Sequence, residues 1–548
     1  MITWTTLATL VVLLAAGDLA VVLCGAHHGR GRLERAALAA LAGLTLLAFL
    51  VTALGLAGPL GRGAVLGIAG LALVGRLALR LLGRDRAEVP PGPPADEPWT
   101  AWQRAGLGLV LGFSAFAAFY AASMPVHIFD PIFHFAYKGK LLLHEGLLAD
   151  SWTDVEGPVG RVITHPDYPP GVGALEAFVS VLAGRFDEDA TRPLFALFAL
   201  AVTAVLWARL RRLGRTVAVT GALLWSSLPF LFYSRLPHLE PGKGLVGILV
   251  GSDVAEGWFG STGKALDKWS RPDGWTLDGA GDLPLAALFS VGFLLLAGHL
   301  ARPAGERRRG EVVLAGLLLG GGALVKNEGL ALLAVAALAL VLGEAARRLL
   351  VRDRAHAPLA GTGLDLVLAL AVTLVVAGPW LAVRGDVPTI GEDYPSRLSP
   401  TGLTEAWGSR QLILTDLSSA EPPSERVPLI VLGGFVDATT SLPRFGLVWP
   451  LFALALVLGL LRPRAMAAGP ALAAALCVVG AFALYALVLL VTPWNLSHLF
   501  KTAIPDRLIL HVLPLAVWTT CLVLGPAPEP EVEAAAEPAP APAPDADA

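Results

Sequence analysis

Two histidines, an aspartate and two lysines fall within the stretch HIFDPIFHFAYKGK at residues 127–140, directly after an apolar run. Charged groups are costly to hold near lipid, so this grouping requires a structural or a chemical reason. Asp130 precedes Pro131, which is typical of a helix N-cap whose carboxylate accepts hydrogen bonds from first-turn amides. A capping carboxylate can also be catalytic if it faces a cavity. His127 and His134 flank Asp130 at spacings that permit a divalent metal ion.

The segment from Pro131 to Glu145 is predicted to form an amphipathic helix that lies along the membrane surface. At about 100° per residue, most of its apolar side chains share one face. The opposite face is polar and consists of His134, Tyr137, Lys138, Lys140, His144 and Glu145. Such a helix presents its lysines and histidines to the lipid headgroups.

Two further aspartates precede apolar segments. The stretch VITHPDYPPGVGALEAF at residues 162–178 offers His165, Asp167 and Tyr168 before a Pro-Pro pair that stiffens the chain. The alternative interpretation is a stiff turn with polar side chains and no chemistry. Asp282, in GDLPLA, begins a predicted span, where capping of the helix is the simpler role.

The stretch LVKNEGLALL at residues 324–333 joins two apolar runs that are short for a bilayer, and they meet at Lys326, Asn327 and Glu328. The turn is therefore predicted to lie below the outer surface, where ionisable groups usually face a cavity and mark a working site. A Lys326–Glu328 pair among lipid headgroups is the alternative. In the last apolar run, Arg507 and His511 lie one helical turn apart; snorkelling explains Arg507 but explains His511 less well.

The composition places all these residues in a polytopic helical membrane protein. Hydrophobic residues make up 55% of the chain and charged residues 16%, against about a quarter charged in soluble domains. Apolar runs of about 15 to 24 residues recur, and a helix of about 20 residues spans the hydrocarbon core of a bilayer. A spanning segment must satisfy its own backbone hydrogen bonds, so an all-α fold is expected. The net charge of −3 is uninformative, because the distribution of charge carries more information than its sum, and no basic stripe indicates nucleic acid as a partner.

Clusters of arginine separate the apolar runs and are expected on the cytoplasmic side. Keeping them all inside requires thirteen spans, with the N-terminus outside and the C-terminus in the cytoplasm. The predicted spans are residues 4–25, 36–58, 63–82, 105–123, 192–208, 215–232, 283–301, 312–325, 330–346, 363–382, 445–461, 467–491 and 506–524. The short apolar segment 169–184 would reverse this arrangement as a span, so it is predicted to be a re-entrant or interfacial helix on the outer side. All seven lysines then fall in outer loops or turns.

Two Pro-rich stretches divide the chain. Residues 1–83 contain three predicted N-terminal spans, and residues 84–103 form a Pro-rich cytoplasmic linker. Residues 104–524 form the main membrane domain, and residues 525–548 an acidic tail that is predicted to be disordered in the cytoplasm. The main domain has long outer loops, which usually have a function; they are residues 124–191, 233–282 and 383–444.

Several of these features, in this order, resemble the GT-C superfamily of integral-membrane glycosyltransferases, which includes protein O-mannosyltransferases and the aminoarabinose transferases of lipid A. In that fold a helix leads into a long first outer loop with a catalytic acidic residue and juxtamembrane helices. Here the span 105–123 leads to Asp130, to the helix ending HEG, and to HPDYPPGVGALEAF. GDLPLA, LVKNEGL and DRLILHVLPLA are also similar to stretches of bacterial members, so the resemblance covers about residues 104–524.

The resemblance implies that residues 104–524 are a catalytic domain that moves a sugar, with inversion, from a polyprenyl-phosphate donor to a lipid, glycan or protein acceptor. It implies a cell-envelope reaction at the outer face of the bacterial inner membrane, among membrane lipids. An outer-loop aspartate would act as base, with Asp130 first and Asp167 or Asp282 as the other choices. The residues implied in phosphate or substrate binding are Arg507, Lys326, Lys138, His511, Tyr168, Glu328 and His134. A divalent metal ion stays open as a cofactor.

Three other classes of protein fit the residues in part. A transporter or flippase for a lipid-linked or anionic solute would also need charges inside the membrane, but it favours two related halves, and we find no internal repeat. A polymerase or ligase that joins oligosaccharides from pyrophosphate carriers shares most of the chemistry. A non-catalytic assembly subunit would keep the fold without needing Asp130 and its neighbours.

Overall fold

The computed structural model describes residues 3–84, 98–123, 131–147, 165–232, 277, 280–351, 358–387, 394–402, 404, 427, 429–492 and 504–526. Every regular element in these ranges is helical, and they contain no strand. The prediction of an all-α fold is confirmed. Asp130 and His127, nearly all of the loop 233–282 and the C-terminal tail from residue 527 lie outside the described residues.

The described ranges contain sixteen α-helices of seven residues or more. In chain order they are α1 Trp4–Leu23, α2 Arg32–Gly55, α3 Arg62–Leu81, α4 Ala101–Ser123, α5 Tyr137–His144, α6 Gly171–Ala183, α7 Pro193–Leu210, α8 Arg215–Ser226, α9 Asp282–Leu300, α10 Arg309–Val325, α11 Asn327–Leu350, α12 Leu359–Arg384, α13 Val448–Leu461, α14 Ala471–Val491, α15 Ile504–Leu510 and α16 Leu513–Leu524. A π-helical turn, Pro131–Ala136, leads into α5.

Nine helices of the described chain are long and apolar enough to cross a membrane, or ten if the bent pair α15 and α16 counts as one span. This finding is compatible with a multi-pass membrane protein. α8, α10 and α13 coincide with predicted spans as well, but they have only 12, 17 and 14 residues. The predicted count of thirteen spans is therefore not reached by length and composition.

The helix α9 lies at the centre of the bundle. Every residue of Asp282–Leu300 except Gly298 is buried, and the helix packs against α7, α10 and α11. Its sequence is apolar all round, as expected for a helix that has neighbours on every side. α2 packs against α1 and also against α6, α7 and α10, so the N-terminal part of the chain belongs to the same core.

Two groups of charged side chains lie at opposite ends of α9. Asp282, its first residue, meets Lys326 in the connection between α10 and α11. Beyond the other end of α9, Arg302 pairs with Glu311, which is joined to Glu34 through Arg30. We call these the Asp282 end and the Glu34 end of the bundle. The first coincides with the predicted outer side and the second with the predicted cytoplasmic side.

Residues 131–145, predicted as one amphipathic surface helix, form the π-helical turn and then α5. A π turn contains more residues than an α turn, so it rotates the side chains that follow around the helix axis. Lys138 and His134 are buried, whereas Lys140 and His144 are exposed. The predicted polar face is therefore wrong for Lys138 and His134.

Candidate functional site

The carboxylate of Asp282 is the centre of a buried cluster at the Asp282 end. It is 1% exposed, and it accepts hydrogen bonds from Lys326 Nζ at 2.8 Å, Arg507 Nε at 2.7 Å and His511 Nε2 at 2.9 Å. Gly281 permits this approach, because a Cβ there would lie 3.0 Å from Lys326 Cγ and 3.1 Å from Phe135 Cζ. The side chain of Asp282 thus binds three other side chains instead of capping its own helix.

Lys326 is the single residue between α10 and α11, and its backbone is extended. Its ammonium group bonds Glu328 at 3.0 Å as well as Asp282, and the side chain is 4% exposed. The predicted Lys326–Glu328 pair is therefore present, but it belongs to the buried cluster and not to an exposed turn. An ammonium group held at this depth needs such partners, since an unpaired buried charge is strongly unfavourable.

Arg507 and His511 reach Asp282 from a broken helix. α15 and α16 meet at an angle of 52°, and His511 lies at the break, so residues 506–524 are not the continuous helix that was predicted. Arg507 is 5% exposed, which rules out the snorkelling interpretation. His511 Nδ1 lies 2.9 Å from the hydroxyl oxygen of Tyr485. Because Asp282 can only accept, Nε2 carries the proton and Nδ1 accepts from Tyr485.

The ammonium group of Lys138 binds backbone carbonyl groups beside the Asp282 cluster. Its Nζ donates to the backbone carbonyl oxygens of His165 and Tyr168, each at 2.7 Å, and its side chain is completely buried. The ammonium group of Lys138 is thus directed to a backbone turn, and the binding of phosphate by Lys138 stays a prediction. Burial lowers the pKa of Lys138 to about 7, and the charge of Asp167 opposes this shift.

Asp167 lies in the turn that Lys138 holds, and it is 7% exposed. Asn327 Nδ2 donates to its Oδ2 and to its backbone carbonyl oxygen, each at 3.2 Å. Burial raises the pKa of Asp167, while the positive charges of Lys138 and Arg384 lower it. This carboxyl group therefore differs from Asp282 in having one neutral hydrogen-bond donor in place of three strong ones.

The rings of His134, His165 and Tyr168 pack against one another beside the Asp282 cluster. The His134 ring centroid lies 4.6 Å from that of His165 and 5.7 Å from that of Tyr168, and His165 stacks on Tyr168 at 4.8 Å. Lys326 Nζ lies 6.0 Å from the Tyr168 ring centroid, so the rings adjoin the Asp282 cluster. Among the residues that the structure describes, no group of three or more metal-binding side chains is assembled. The proposed metal ligands His127 and Asp130 lie outside them.

The structure thus brings together Asp167, Asp282, Lys326, Glu328, Arg507, His511, Tyr168 and His134, all of which the sequence analysis singled out. Asn327 is named at this turn in the sequence analysis but is not among the predicted site residues, and Tyr485 is not predicted at all. Asn327 stands between two residues that were singled out, and Tyr485 is the one hydroxyl in the apolar run of α14. A polar side chain within an apolar run was therefore the signal that could have identified Tyr485.

The Glu34 end holds a second buried ionic network. Arg30 bonds Glu34 and also lies 2.7 Å from Glu311 Oε1. Arg209 Nε lies 3.1 Å from Glu34, and Arg302 Nη1 lies 2.9 Å from Glu311. These contacts join the starts of α2 and α10 to the ends of α7 and α9.

Comparison with known proteins identifies no relative. No protein-family model, no curated protein and no solved structure matches the chain.

Proposed function

We propose that this protein is an inverting glycosyltransferase of the membrane, which transfers a sugar from a polyprenyl-phosphate carrier to an acceptor at the Asp282 end. The observation that supports this most is the convergence of Lys326, Arg507 and Asp282 from three separate parts of an apolar bundle. Ionisable groups held inside such a bundle usually mark a working site. Two fixed cations suit a lipid phosphate, on which negative charge develops as the sugar leaves.

In this proposal Arg507 and Lys326 bind the phosphate of the donor. Arg507 offers a planar pair of donors to phosphate oxygens, and Lys326 adds a compact charge. Asp282 accepts from both side chains, so it holds them in place before the donor arrives. The residues that place the sugar or the acceptor are His511, Tyr168, Glu328 and His134.

The chemical step requires a base as well as cations. The acceptor hydroxyl oxygen bonds to the anomeric carbon while the bond from that carbon to the phosphate oxygen breaks. A carboxylate takes the hydroxyl proton, and polyprenyl phosphate leaves with the electron pair. Asp282 is poorly suited to this role because three donors already occupy its oxygens. The outer-loop aspartates Asp130 and Asp167 are the candidates, and the Asp282 end then faces the cell exterior.

The proposal is tested with the full chain in lipid nanodiscs and a panel of polyprenyl-phosphate sugars. Detergent-extracted envelope lipids and glycans serve as acceptors, and mass spectrometry measures the release of free polyprenyl phosphate. We expect release from at least one donor, dependent on the acceptor, and at least about 100-fold less from Asp282→Asn.

Three results would contradict the proposal. Folded wild-type protein that cleaves none of the donors would exclude a monosaccharide transferase with these carriers. Turnover of pyrophosphate-linked oligosaccharides alone would indicate a polymerase or ligase. Movement of a lipid-linked or anionic solute across proteoliposomes without cleavage would indicate a transporter.

A further inference from the structure

The turn from His165 to Tyr168 is bonded from two sides. Lys138 Nζ donates to the carbonyl oxygens at both ends of the turn, at 2.7 Å each. Asn327 Nδ2 donates to the carbonyl oxygen and to Oδ2 of Asp167, at 3.2 Å each. One lysine from α5 and one amide from the first turn of α11 therefore fix the segment that contains this carboxylate.

The turn has an unusual backbone conformation at its first residue. His165 has a φ of 58°, in the left-handed region that non-glycine residues seldom occupy. The carbonyl group of the same residue accepts from Lys138, whose ammonium group is completely buried. Strained backbone of this kind persists only where surrounding contacts enforce it, and such positions concentrate at functional sites.

The position of Lys138 is itself set by close packing between two helices. A Cβ on Gly139 would lie 2.9 Å from the carbonyl oxygen of Gly173, and a Cβ on Gly173 would lie 2.8 Å from the Gly139 nitrogen. α5 and α6 therefore approach as closely as their backbones allow. This contact places Lys138 against the turn and leaves little freedom for its side chain.

The two aspartates of the site that the structure describes have different surroundings. The oxygens of Asp282 receive hydrogen bonds from a lysine, an arginine and a histidine. Oδ2 of Asp167 receives one from Asn327, and no side chain within the described ranges donates to its Oδ1. A carboxylate that is aimed by its neighbours, with an oxygen left for a substrate hydroxyl, meets the geometric requirement for a general base.

We propose that Asp167 takes the proton of the acceptor hydroxyl and that Lys138 and Asn327 are positioning residues that aim its carboxylate. This proposal rests on the proposed glycosyl transfer. The proton passes to Oδ1 of Asp167 as the hydroxyl oxygen bonds to the anomeric carbon, and polyprenyl phosphate departs. Lys138 and Asn327 touch neither the sugar nor the phosphate.

Charged groups from three elements act on Asp167. Lys138 on α5 and Arg384 at the end of α12 lower its pKa, whereas Glu328 on α11 raises it, as does burial. Removing the positive charge of Lys138 must therefore raise the pKa of Asp167. Removing the amide of Asn327 must do the same, because its hydrogen bond to Oδ2 favours the ionised carboxylate.

The first experiment measures the release of polyprenyl phosphate against pH for Lys138→Met and Asn327→Leu. Transfer requires ionised Asp167, so the rate falls on the acid side of its pKa. We expect both variants to move this acid limb upward by about one pH unit and to lower kcat with little change in the donor KM. A rate that falls equally at every pH, without movement of the limb, would overturn the proposal.

A matched control is available on the same helix. Lys140 is 46% exposed and pairs with Glu188 at 3.3 Å, so Lys140→Met removes a lysine charge without touching the turn. This variant should keep the wild-type pH profile. Asp167→Asn should lose the acid limb and release at least about 100-fold less polyprenyl phosphate. A wild-type rate in Asp167→Asn would disprove the assignment.

A second experiment does not depend on any donor. A hydrophobic carbodiimide labels protonated buried carboxyl groups, and mass spectrometry of the full chain reports the labelling of Asp167 against pH. We expect the labelling midpoint to rise in Lys138→Met and Asn327→Leu but not in Lys140→Met. If wild-type protein cleaves no donor, the proposed function fails, while this labelling still tests the positioning. Unchanged labelling midpoints would refute the positioning role of Lys138 and Asn327. If Lys138→Met does not fold, the midpoint of Asn327→Leu decides the question.

Discussion

The Asp282 end and the Glu34 end both bury several charges, yet their hydrogen bonding differs. At the Glu34 end, each of the four carboxylate oxygens of Glu34 and Glu311 lies within 3.8 Å of an arginine nitrogen. At the Asp282 end, Asn327 Oδ1 and Glu328 Oε2 are shielded from solvent and accept no hydrogen bond within the described chain. The carboxylates of the Glu34 end are therefore closed by arginines, whereas acceptors remain at the Asp282 end. Ring nitrogens of His27 and His299 near the Glu34 end are also buried without a hydrogen-bond partner in the described chain.

Buried charges can join helices to one another, or they can form a functional site. At the Glu34 end, the closed network of arginines and carboxylates joins helix ends by paired charges. Buried acceptors without donors are unfavourable, and in native proteins they bind an ordered water or ion, store strain or serve a functional role. In the proposed function the Asp282 end is the working end, because Lys326 and Arg507 converge there on Asp282.

The largest expected effect is that of Asp282→Asn. The change leaves Lys326 and Arg507 buried without their shared carboxylate, so we expect a loss of about 3–5 kcal/mol in the free energy of unfolding. Denaturation in detergent measures this. Ser290→Ala is the control at the same end, because Ser290 only donates to the His511 carbonyl oxygen at 3.3 Å. Equal losses in the two variants would contradict the central role of Asp282.

At the opposite end, Arg30→Met tests whether the closed network is purely structural. Arg209 and Arg302 would still pair with Glu34 and Glu311, so we expect a smaller loss of about 2–3 kcal/mol in unfolding free energy. Release of polyprenyl phosphate per folded molecule should equal that of wild type. Reduced release from fully folded protein would show that the Glu34 end also takes part in function.

Arg507→Lys tests the phosphate site with the charge retained. Lysine lacks the planar pair of donors, so we expect polyprenyl phosphate to bind about tenfold more weakly. Native mass spectrometry in nanodiscs measures the affinity. Arg444→Lys is the matched control, since Arg444 pairs with the neighbouring residue Asp506 at 2.9 Å. The same loss in both variants would assign the effect to helix packing instead of phosphate binding.

Tyr485→Phe should have the smallest effect. It removes only the hydroxyl that donates to His511 Nδ1 at 2.9 Å, and one such hydrogen bond contributes about 1 kcal/mol to stability. Thermal unfolding of the variant in detergent checks this value. A loss as large as that of Asp282→Asn would show that the histidine, and not the aspartate, organises the cluster.

Much of the architecture could be predicted because hydrophobic length and arginine distribution are properties of the local sequence. The predicted spans 4–25 and 283–301 match α1 and α9 within two residues. The members of the Asp282 cluster could also be predicted, since ionisable residues beside apolar runs are rare and conspicuous. Their mutual contacts could not, because Asp282 and Arg507 are separated by 225 residues.

Lys138 is a residue whose burial a helical-wheel projection does not predict. A regular helix would place it on the polar face, but the π-helical turn Pro131–Ala136 precedes it and changes the angular register. The close contact of Gly139 with Gly173 then buries the lysine between α5 and α6. The second cause is a tertiary contact with a residue outside 127–140, so the stretch alone does not indicate that this ammonium group binds a backbone turn.

The 52° bend between α15 and α16 has a mechanical consequence. A straight helix transmits rotation along its whole length, whereas a broken one allows its halves to tilt separately. α16 is buried from Leu513 to Cys521 and is anchored in the core. The other half, α15, is also buried from Pro505 to Leu510, and its Asp506 pairs with Arg444 at 2.9 Å. A tilt of α15 that carried Arg507 away from Asp282 would therefore have to break this second ion pair as well.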